Sequence, residues 1–512
     1  MVELKQLAAA SSLTGLAIAS NFSTQCASFI NTLIVPNATI SFTEYVTANT
    51  TLQFPNADPS CVRPSQIVSA DLCRVDLEVA TSARSSLRME VWLPENWSGR
   101  FLSTGNGGLG GCIQYEDLEY TTAQGFAAVG TNNGHDGSTG VSFFNNPDVV
   151  EDFAYRAVHT GVLLGKEITK TFYGKPHTKS YYLGCSTGGR QGWKLVQKFP
   201  DDFDGVVAGA PAFSFNNLTS WSCHFLPLTG LQGAATFVPL GMWPAIHQDI
   251  INQCDALDGA VDGIIESPDL CDYDPSGLIC AGGQNSSCLT PVQAETVRSI
   301  YAPLLASDGS LVYPRLEPGA EATEAVFSYF QGQRFGAADC LADYDLAADL
   351  NPFNIETWEG DISAFRNKGG KVLHYHGQSD GVIPSSNSPR YYEHISKTMG
   401  LNSETLDEFY RYFRISGMAH CASGPGAASI GNMRRNTASM DPEENVLTAI
   451  VRWVEEGIAP ESITGTAFRN GTESAGVDYK RRHCRYPYRN VFKGTGDYKD
   501  VDSWECILKQ DA

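Results

Sequence analysis

Short apolar segments alternate with longer amphipathic ones along much of the chain. Ser86–Leu93 and Arg100–Thr104 alternate apolar with polar residues, and Phe126–Thr131 is a short apolar run, so each predicts a β-strand. Asp152–Phe172 has the spacing of a helix that ends before Gly174. Strands that alternate with helices in this way predict an α/β fold with a mostly parallel, doubly wound sheet.

A further apolar strand, Lys179–Leu183, leads directly into Gly184-Cys185-Ser186-Thr187-Gly188. This segment matches the G-x-S-x-G pattern, in which a strand turns sharply into a helix and presents a nucleophilic serine. Gln191–Lys198 has the pattern of the helix that should follow. The segment therefore indicates a nucleophile at Ser186. In a chain with 49 glycines, an ordinary glycine-rich turn is the alternative.

Two later strands also lead into loops that carry chemistry. Lys371–His376 is followed by a loop that contains Asp380, and Tyr410–Ile415 by a loop that contains His420. Ser186, Asp380 and His420 thus follow strand ends in the chain order that α/β-hydrolases use. This order predicts an α/β-hydrolase with a catalytic triad.

The three residues of this triad have distinct predicted roles. Ser186 attacks a carbonyl, His420 accepts the serine proton, and Asp380 fixes the tautomer of His420 and stabilises its protonated form. His374 and His376 are alternative bases, but both lie inside a strand rather than after one.

The glycine-rich loop Gly105–Gly111 follows the strand Arg100–Thr104. α/β-Hydrolases take one oxyanion donor from a loop at this position and the other from the amide that follows the nucleophile. We therefore predict Thr187 and Gly107 as the donors. A phosphate-binding loop is the rival interpretation, but it requires a lysine and a helix start that this loop lacks.

Composition and charge restrict the classes of function. With 512 residues, 42% of them hydrophobic, the chain has ample material for a large folded core. The net charge of −21, without a long basic run, argues against binding to nucleic acid or to anionic membranes. No segment after the N-terminus approaches the ~20 apolar residues that span a bilayer.

Fourteen cysteines suit an oxidising compartment, and several N-glycosylation sequons point the same way. Residues 1–19 are a weakly apolar segment that we interpret as a signal peptide, cleaved before Ser20. The protein is therefore expected to be secreted. The sequons are at Asn37, Asn49, Asn96, Asn217, Asn285 and Asn470, with a further match at Asn21 close to the expected cleavage site.

The amino-acid composition of the chain changes after Ala210-Pro211. Residues 213–356 are rich in Pro, Gly, Asn, Trp and Cys, contain few clear strands, and separate the predicted nucleophile from the predicted acid. Because an unstructured loop of this length is implausible in a compact fold, we interpret them as an inserted lid domain. The catalytic domain then comprises residues 20–212 and 357–512.

Three carboxylates lie close together in the predicted lid, at Asp255, Asp258 and Asp262. A hard cation such as calcium takes 6–8 oxygen ligands, which these side chains and intervening backbone carbonyls would supply. The spacing is not that of an EF-hand. A solvated acidic turn remains the alternative on spacing alone.

Cysteines flank two of the predicted catalytic residues, because Cys185 precedes Ser186 and Cys421 follows His420. This pattern, with Gly184-Cys185-Ser186-Thr187-Gly188-Gly189-Arg190-Gln191-Gly192, resembles the tannase and feruloyl esterase family of secreted fungal and bacterial hydrolases. The version in this chain is most similar to the fungal type B feruloyl esterases. The resemblance extends over nearly the whole chain, to Cys506.

The resemblance implies several further features. It implies a structural calcium ion in the lid, with backbone oxygens of Ala260 and Ile264 completing the aspartate ligands, and no organic cofactor. It leaves Cys223 and Cys340 as a seventh pair or as free thiols. The disulfides that it implies are Cys26–Cys73, Cys61–Cys112, Cys185–Cys421, Cys254–Cys271, Cys280–Cys288 and Cys484–Cys506.

Two other uses of the cysteines compete with this interpretation. A cysteine nucleophile at Cys185 would fail if that residue is disulfide-bonded, since it would form no thiolate. A zinc site at His483-Cys484 is disfavoured because the chain has no C-x-x-C pair.

The family divides between esters of hydroxycinnamic acids on plant cell-wall sugars and galloyl esters of tannins. The motif of this chain favours a feruloyl esterase that releases ferulate, p-coumarate or caffeate, with a tannase as the alternative. A catalytically inactive binding protein with the same fold is a third reading, which the intact triad disfavours. Aromatic residues in the predicted lid suit an aromatic acyl group but would equally suit a lid core; they are Trp221, Phe225, Phe237 and Trp243.

Overall fold

The described part of the computed structural model comprises residues 22–282, 287–330 and 340–508, without the side chains of residue 327 and residues 340–344. The predicted signal peptide 1–19, Asn21 and the sequon at Asn285 lie outside the described residues. The chain divides into two compact units between Tyr182 and Leu183. The predicted domain boundaries at 212 and 356 stay predictions.

The first unit is built on five paired strands in the order β1-β4-β5-β7-β6. Neighbours are antiparallel from β1 to β7, and only β6 and β7 are parallel. The predicted parallel sheet is therefore mixed here, since residues 81–85 connect β4 to β5 as a hairpin. The strands of this unit are β1 Ala38–Val46, β2 Thr51–Gln53, β3 Ser65–Ile67, β4 Leu72–Ala80, β5 Ser86–Pro94, β6 Arg100–Thr104 and β7 Ala127–Thr131.

A long helix packs closely against the strands of the first unit. A Cβ on Gly161 would lie 2.6 Å from Cγ2 of Thr131, so only glycine permits this approach. The predicted helix Asp152–Phe172 is observed as a π-helical turn, Asp152–Arg156, that continues into α4. The helices of this unit are α1 (22–29), α2 Tyr115–Thr122, α3 Pro147–Glu151 and α4 Ala157–Tyr173.

The strand β8, Lys179–Cys185, contains the division between the units and ends at the predicted nucleophile turn. In the second unit, β9, β12 and β13 are neighbours and parallel, as predicted. Gly209 pairs with Tyr375 in this sheet, and a Cβ at 209 would lie 2.1 Å from the Tyr375 ring. The remaining strands are β9 Gly205–Gly209, β10 Leu304–Leu305, β11 Leu311–Tyr313, β12 Lys371–Gly377, β13 Tyr410–Ile415, β14 Ser462–Phe468, β15 Val477–Cys484, β16 Arg489–Phe492 and β17 Trp504–Ile507.

Side-chain N-caps fix the start of three described helices in the second unit. Asn445 caps the last of them by accepting hydrogen bonds from the amides of Leu447 and Thr448, at 3.0 and 3.1 Å. The helix predicted at Glu443–Glu456 therefore starts at Val446. These helices are α5 Thr187–Lys198, α6 Phe215–Cys223, α7 Phe225–Thr229, α8 Trp243–Cys254, α9 Pro291–Ile300, α10 Val326–Ser328, α11 Cys340–Leu350, α12 Ser363–Asn367, α13 Asn387–Met399, α14 Ser403–Leu406 and α15 Val446–Glu456.

The predicted lid segment, residues 213–356, has short helices, the hairpin β10–β11 and its own buried aromatic cluster. Trp221 is fully buried and packs edge-on against Phe225 and Tyr329. Trp243 stacks on Phe330 at 4.7 Å between ring centroids. Burial of such large side chains supplies this segment with the apolar core that its sequence composition predicts.

Six disulfides cross-link the described residues: Cys26–Cys73, Cys61–Cys112, Cys185–Cys421, Cys254–Cys271, Cys280–Cys288 and Cys484–Cys506. Cys223 is also disulfide-bonded, and the side chain of Cys340 lies outside the described atoms. Across the described ranges, no helix is long and apolar enough to cross a membrane.

Candidate active site

Ser186 lies in the turn between β8 and α5, with φ 64° and ψ −124°. A positive φ is unusual for a residue other than glycine, and such strained residues cluster at functional sites. The Ser186 amide donates to the carbonyl of Gly209 at 3.0 Å. The Ser186 carbonyl accepts from the amides of Arg190 and Ala212, also at 3.0 Å. Hydrogen bonds on both sides therefore hold the turn in its strained form.

Gly189 explains why the turn needs glycine after the serine. A Cβ at this position would lie 2.2 Å from the carbonyl oxygen of Gly209 and 2.9 Å from Cα of Pro211. Both of these atoms belong to the backbone and cannot move aside cheaply. Gly189 thus allows the first turn of α5 to pack directly on the end of β9. The helix starts at Thr187, four residues before the predicted start.

Asp380 follows the end of β12 and is fully buried. Its Oδ1 accepts hydrogen bonds from the backbone amides of Val382 and Ile383, both at 2.8 Å. Its Oδ2 accepts from His420 Nδ1 at 2.8 Å and from His376 Nε2 at 3.1 Å. The carboxylate therefore accepts four hydrogen bonds, and one oxygen is shared by two histidines.

This environment sets the charge of the pair. Burial raises the pKa of Asp380, but the charge of His420 and the hydrogen bonds from His376 and His420 outweigh it, so the pKa lies well below its usual range. Burial lowers the pKa of His420, whereas the charge and hydrogen bond of Asp380 and the charge of Glu324 raise it, and the net shift is upward. Asp380 is thus ionised, and His420 is a stronger base than a free histidine.

The disulfide Cys185–Cys421 connects the serine turn to the histidine loop. The Cα atoms of the two cysteines are 5.9 Å apart. Because consecutive Cα atoms are about 3.8 Å apart, the Cα atoms of Ser186 and His420 lie within about 14 Å of each other. Cys421 has φ 65°, and its carbonyl accepts a 2.7 Å hydrogen bond from Asn432 Nδ2. The structure thus brings the three predicted triad residues to one region of the second unit, and it excludes a thiolate at Cys185.

The two predicted oxyanion donors lie in different units. Thr187 is buried and is the first residue of α5. Gly107 lies in the first unit, where its carbonyl accepts the amide of Gly110 at 2.9 Å. A Cβ at Gly107 would meet no atom within 4 Å, so glycine is not required there by local packing. The assignment of both donors stays a prediction.

The family model for tannase and feruloyl esterase matches residues 73–338 and 347–507 of this chain. The chain belongs to this family. It is 52% identical to a probable feruloyl esterase B-2 of Aspergillus terreus over 95% of this chain and 96% of that protein. The crystal structure of feruloyl esterase B from Aspergillus oryzae superimposes with a TM-score of 0.92 at 49% identity and covers 95% of this chain and 100% of that one.

A more distant family member also has the same fold. Tannin acyl hydrolase from Aspergillus niger is 25% identical, with a TM-score of 0.69 over 93% of this chain and 92% of that one. These comparisons confirm the predicted α/β-hydrolase fold. Membership of the family makes the chain a carboxylic ester hydrolase.

On sequence alone, four aromatic residues of the lid segment suit a substrate pocket and a lid core equally, and three of them are core residues. Trp221, Phe225 and Trp243 are buried in one hydrophobic cluster of the lid segment, so the lid-core alternative holds for these three. Phe237 is half-buried. None of the first three side chains offers a free ring face to a substrate.

The acidic loop of the lid segment buries Asp255 and Asp258, and the side chain of Asp262 is also only 2% exposed. Asp258 accepts the amides of Ala260 and Glu266 at 2.9 and 3.3 Å. Burial, with the nearby charge of Glu266 adding to it, raises the pKa of Asp258 to about 7. Asp255 Oδ2 accepts an amide, but its buried Oδ1 has no hydrogen-bond partner. An unpaired buried carboxylate oxygen is costly, and a cation would relieve that cost.

The chemistry of this loop fits a hard cation only if backbone oxygens take part. Both carboxylate oxygens of Asp262 already have a partner, since Oδ1 accepts the Ile264 amide and Oδ2 pairs with Arg481 at 2.6 Å, so each has one remaining lone pair for a cation. Over the described ranges, no group of three or more His, Cys, Asp or Glu side chains is arranged to hold a metal ion. Calcium ligation by Asp255, Asp258 and Asp262 therefore requires the carbonyls of Ala260 and Ile264 as well.

Sequence reasoning missed two residues that act on the Asp380–His420 pair. The sequence presents His376 only as an alternative base, although it donates to Asp380. Glu324, in the π-helical turn Glu321–Ala325, raises the pKa of His420. Thr323 in the same turn donates its hydroxyl to the carbonyl of Ser379 at 2.9 Å. The position of His376 four residues before Asp380 was visible in the sequence, but nothing local placed Glu324 near His420.

Proposed function

We propose that this chain is a secreted feruloyl esterase that releases ferulate, p-coumarate or caffeate from esters of plant cell-wall polysaccharides. Two contacts carry the proposal: the buried Asp380 carboxylate accepts a 2.8 Å hydrogen bond from His420, and the Cys185–Cys421 disulfide connects the histidine loop to the turn of Ser186. The choice of acyl group is supported by relatives named feruloyl esterases, which are about 50% identical to this chain over nearly its whole length.

In the proposed reaction, Ser186 Oγ attacks the ester carbonyl and His420 Nε2 takes the serine proton. Asp380 holds Nδ1–H of His420 and stabilises the imidazolium. The amides of Thr187 and Gly107 donate to the oxyanion of the tetrahedral intermediate. Collapse of that intermediate breaks the bond to the alcohol, which takes the proton from His420. Water then attacks the acyl-enzyme, again with His420 as the base, and frees the acid and Ser186.

A tannase is the second candidate, because one family relative is a tannin acyl hydrolase. That relative is 25% identical, whereas the feruloyl esterases are near 50%. Rates of hydrolysis of methyl ferulate, methyl caffeate and methyl gallate separate the two. We expect kcat/KM to be highest for a hydroxycinnamate. A clear preference for methyl gallate would replace the proposal by the tannase activity.

We further propose that calcium binds the acidic loop through Asp255, Asp258 and Asp262 and through the carbonyls of Ala260 and Ile264. The unpaired oxygen of Asp255 and the burial of Asp258 support this choice. Bound calcium would neutralise the buried carboxylates and fold the loop back on itself, so its role is structural.

Secretion and glycosylation also belong to the proposal. Four sequon asparagines in the described residues are exposed, namely Asn37, Asn49, Asn96 and Asn470. Asn217 is half-buried, and its Nδ2 donates to the carbonyl of Val312 at 3.0 Å, which makes it a poor acceptor. Peptide mapping of protein from a eukaryotic host should find glycans on the exposed set, and glycan-free exposed sequons in secreted protein would argue against this.

A further inference from the structure

A continuous chain of buried side chains runs behind the Asp380 carboxylate. His376, Ser388, His374 and Tyr410 all lie within the second unit and are completely shielded from solvent. We propose that His376 is a positioning residue of the esterase, which donates Nε2–H to Asp380 and thereby fixes the carboxylate that orients His420. The inference rests on the proposed triad and assigns a role to a histidine that is not the catalytic base.

The contacts along the chain are all within hydrogen-bond distance. His376 Nε2 is 3.1 Å from Asp380 Oδ2 and 3.0 Å from the carbonyl oxygen of Ile383. His376 Nδ1 is 2.6 Å from Ser388 Oγ. Ser388 Oγ is 2.9 Å from His374 Nε2, and His374 Nδ1 is 2.9 Å from the hydroxyl of Tyr410.

These contacts determine which atom donates at each step. Both partners of His376 Nε2 are acceptors, one of them an ionised carboxylate, so this nitrogen carries the proton. In neutral His376, Nδ1 is then an acceptor and the Ser388 hydroxyl donates to it. Ser388 Oγ in turn accepts from His374 Nε2–H.

The far end of the chain agrees with this direction. Burial lowers the pKa of His374 well below its usual value, so this residue is neutral, and burial raises the pKa of Tyr410, so its hydroxyl is protonated. Tyr410 therefore donates to His374 Nδ1. Every donor in the chain points towards Asp380, and each hydrogen has an acceptor. The reverse direction would require a positive charge on the fully buried His376.

The role of this chain follows from the shared oxygen. Asp380 Oδ2 accepts from His376 and from His420, and two backbone amides hold Oδ1. Without the His376 donor, the Asp380 carboxylate would have a higher proton affinity and would be held in position by one hydrogen bond fewer. His420 would then be less well oriented, and its pKa would rise because the unshared charge of Asp380 acts on it more strongly. A merely structural histidine would not produce that second effect.

Other titratable groups lie near the hydrogen-bonded chain from Asp380 to Tyr410, and substitution of His376 leaves all of them in place. Glu324 acts on His420, the charge of Asp380 acts on Tyr313 and Tyr329, and the ring of Tyr412 lies 4.6 Å from that of His374. The variants are therefore confined to the one donor at His376.

Two substitutions of His376 by amide side chains of different length test the contribution of this donor. In His376→Gln the side-chain amide can reach the position of Nε2 and donate to Asp380, whereas in His376→Asn it reaches only the position of Nδ1, near Ser388. We expect His376→Asn to lower kcat/KM on the pH plateau by about 10-fold to 100-fold. We also expect its acid limb to move to higher pH by about half a unit. His376→Gln should stay within about threefold of the unchanged protein, with the limb in place.

His483 provides the matched control. It is also buried, and it lies between the carbonyl of Ala427 at 2.9 Å and the hydroxyl of Ser416 at 3.2 Å, without a contact to Asp380. His483→Asn and His483→Gln should have the same acid limb as the unchanged protein. A shift with His483→Asn equal to that with His376→Asn would overturn the inference, as would equal losses in the Asn and Gln variants at 376.

A measurement on the unchanged protein covers the case in which His376→Asn does not fold. Nitrogen NMR of ¹⁵N-histidine-labelled enzyme, with the His376 signal assigned by its loss in His376→Gln, should show the neutral Nε2–H tautomer at pH 7. An Nδ1–H tautomer or a cation there would overturn the inference. Normal turnover of His420→Ala would instead defeat the triad itself, so the two failures are distinguishable.

Discussion

Cys185 and Cys421 are 236 residues apart in the chain, yet a disulfide joins them. The bond connects the residue before Ser186 to the residue after His420. The bond therefore has two consequences that can be measured separately. It closes a very long loop, and it limits how far the nucleophile turn and the histidine loop can move apart. The first affects the free energy of unfolding, and the second affects catalysis.

We expect replacement of both cysteines by Ala to lower the free energy of unfolding by up to about 5 kcal/mol on the chain-entropy estimate for such a loop. We also expect kcat to fall about 10-fold or more well below the melting temperature, because proton transfer from Ser186 to His420 depends on the register of the two segments. Denaturant unfolding and steady-state kinetics measure the two effects.

The disulfide Cys484–Cys506 is the control for this prediction. It lies in the same unit but joins β15 to β17, without flanking a triad residue. Its removal should lower stability and leave kcat unchanged. Unchanged kcat in the Cys185/Cys421 variant would show that this bond serves stability alone.

The activated serine is tested by labelling and by substitution. Ser186→Ala should lower kcat by several orders of magnitude with the fold intact, since the nucleophile is lost. A fluorophosphonate probe should label the unchanged protein and not Ser186→Ala. A folded, unlabelled parent protein would favour the inactive binding protein, and normal turnover of Ser186→Ala would remove the triad assignment.

The sequence predicted the triad because each of its residues follows a strand end, which is a local feature. Lys371–His376 and Tyr410–Ile415 were found within one residue of their observed bounds for the same reason. The mixed direction of the first unit was not predicted, because strand direction depends on pairings between distant segments. The sequence does not decide between a pocket and a core for Trp221, since an apolar ring suits both, and the structure places it in the core. Glu324 could not be placed because its effect on His420 arises through tertiary packing.

The pH dependence of kcat/KM should report the raised pKa of His420. The base acts in its neutral form, so activity is lost as the pH falls through this pKa, and the midpoint of the acid limb should lie above 6.5. Glu324→Gln removes one of the charges that raise this pKa, so its limb should move to lower pH by a few tenths of a unit. Glu295→Gln, which removes an exposed partner of Arg298, should leave the limb in place. An acid limb that does not respond to Glu324→Gln would contradict the assignment of this limb to His420.

The packing of Gly189 gives a prediction about the nucleophile turn. Gly189→Ala would place a Cβ against the backbone of Gly209 and Pro211, so α5 must shift and carry Ser186 with it. We expect a loss of about 1–3 kcal/mol in unfolding free energy and a fall in kcat of about 10². Gly241→Ala in the same unit has open space around its Cβ and should change neither quantity. An active, stable Gly189→Ala protein would show that the turn tolerates this displacement.

Calcium in the acidic loop should contribute to stability rather than to the reaction. The loop buries Asp255 and Asp258, which costs free energy unless a cation compensates their charge, so removal of calcium should lower the melting temperature. A ligand present at about 100 times its Kd stabilises the folded protein by about 2.7 kcal/mol, which sets the scale of the effect. EDTA should therefore lower the melting temperature, and excess calcium should restore it. Asp255→Asn should lower the melting temperature before any EDTA is added, and EDTA should then have no further effect. Asp308 is an exposed aspartate of the lid segment, and Asp308→Asn should retain the full response to EDTA. At temperatures where the protein stays folded, kcat should be the same with and without EDTA. Protein purified without chelator that contains no calcium by elemental analysis would refute the site.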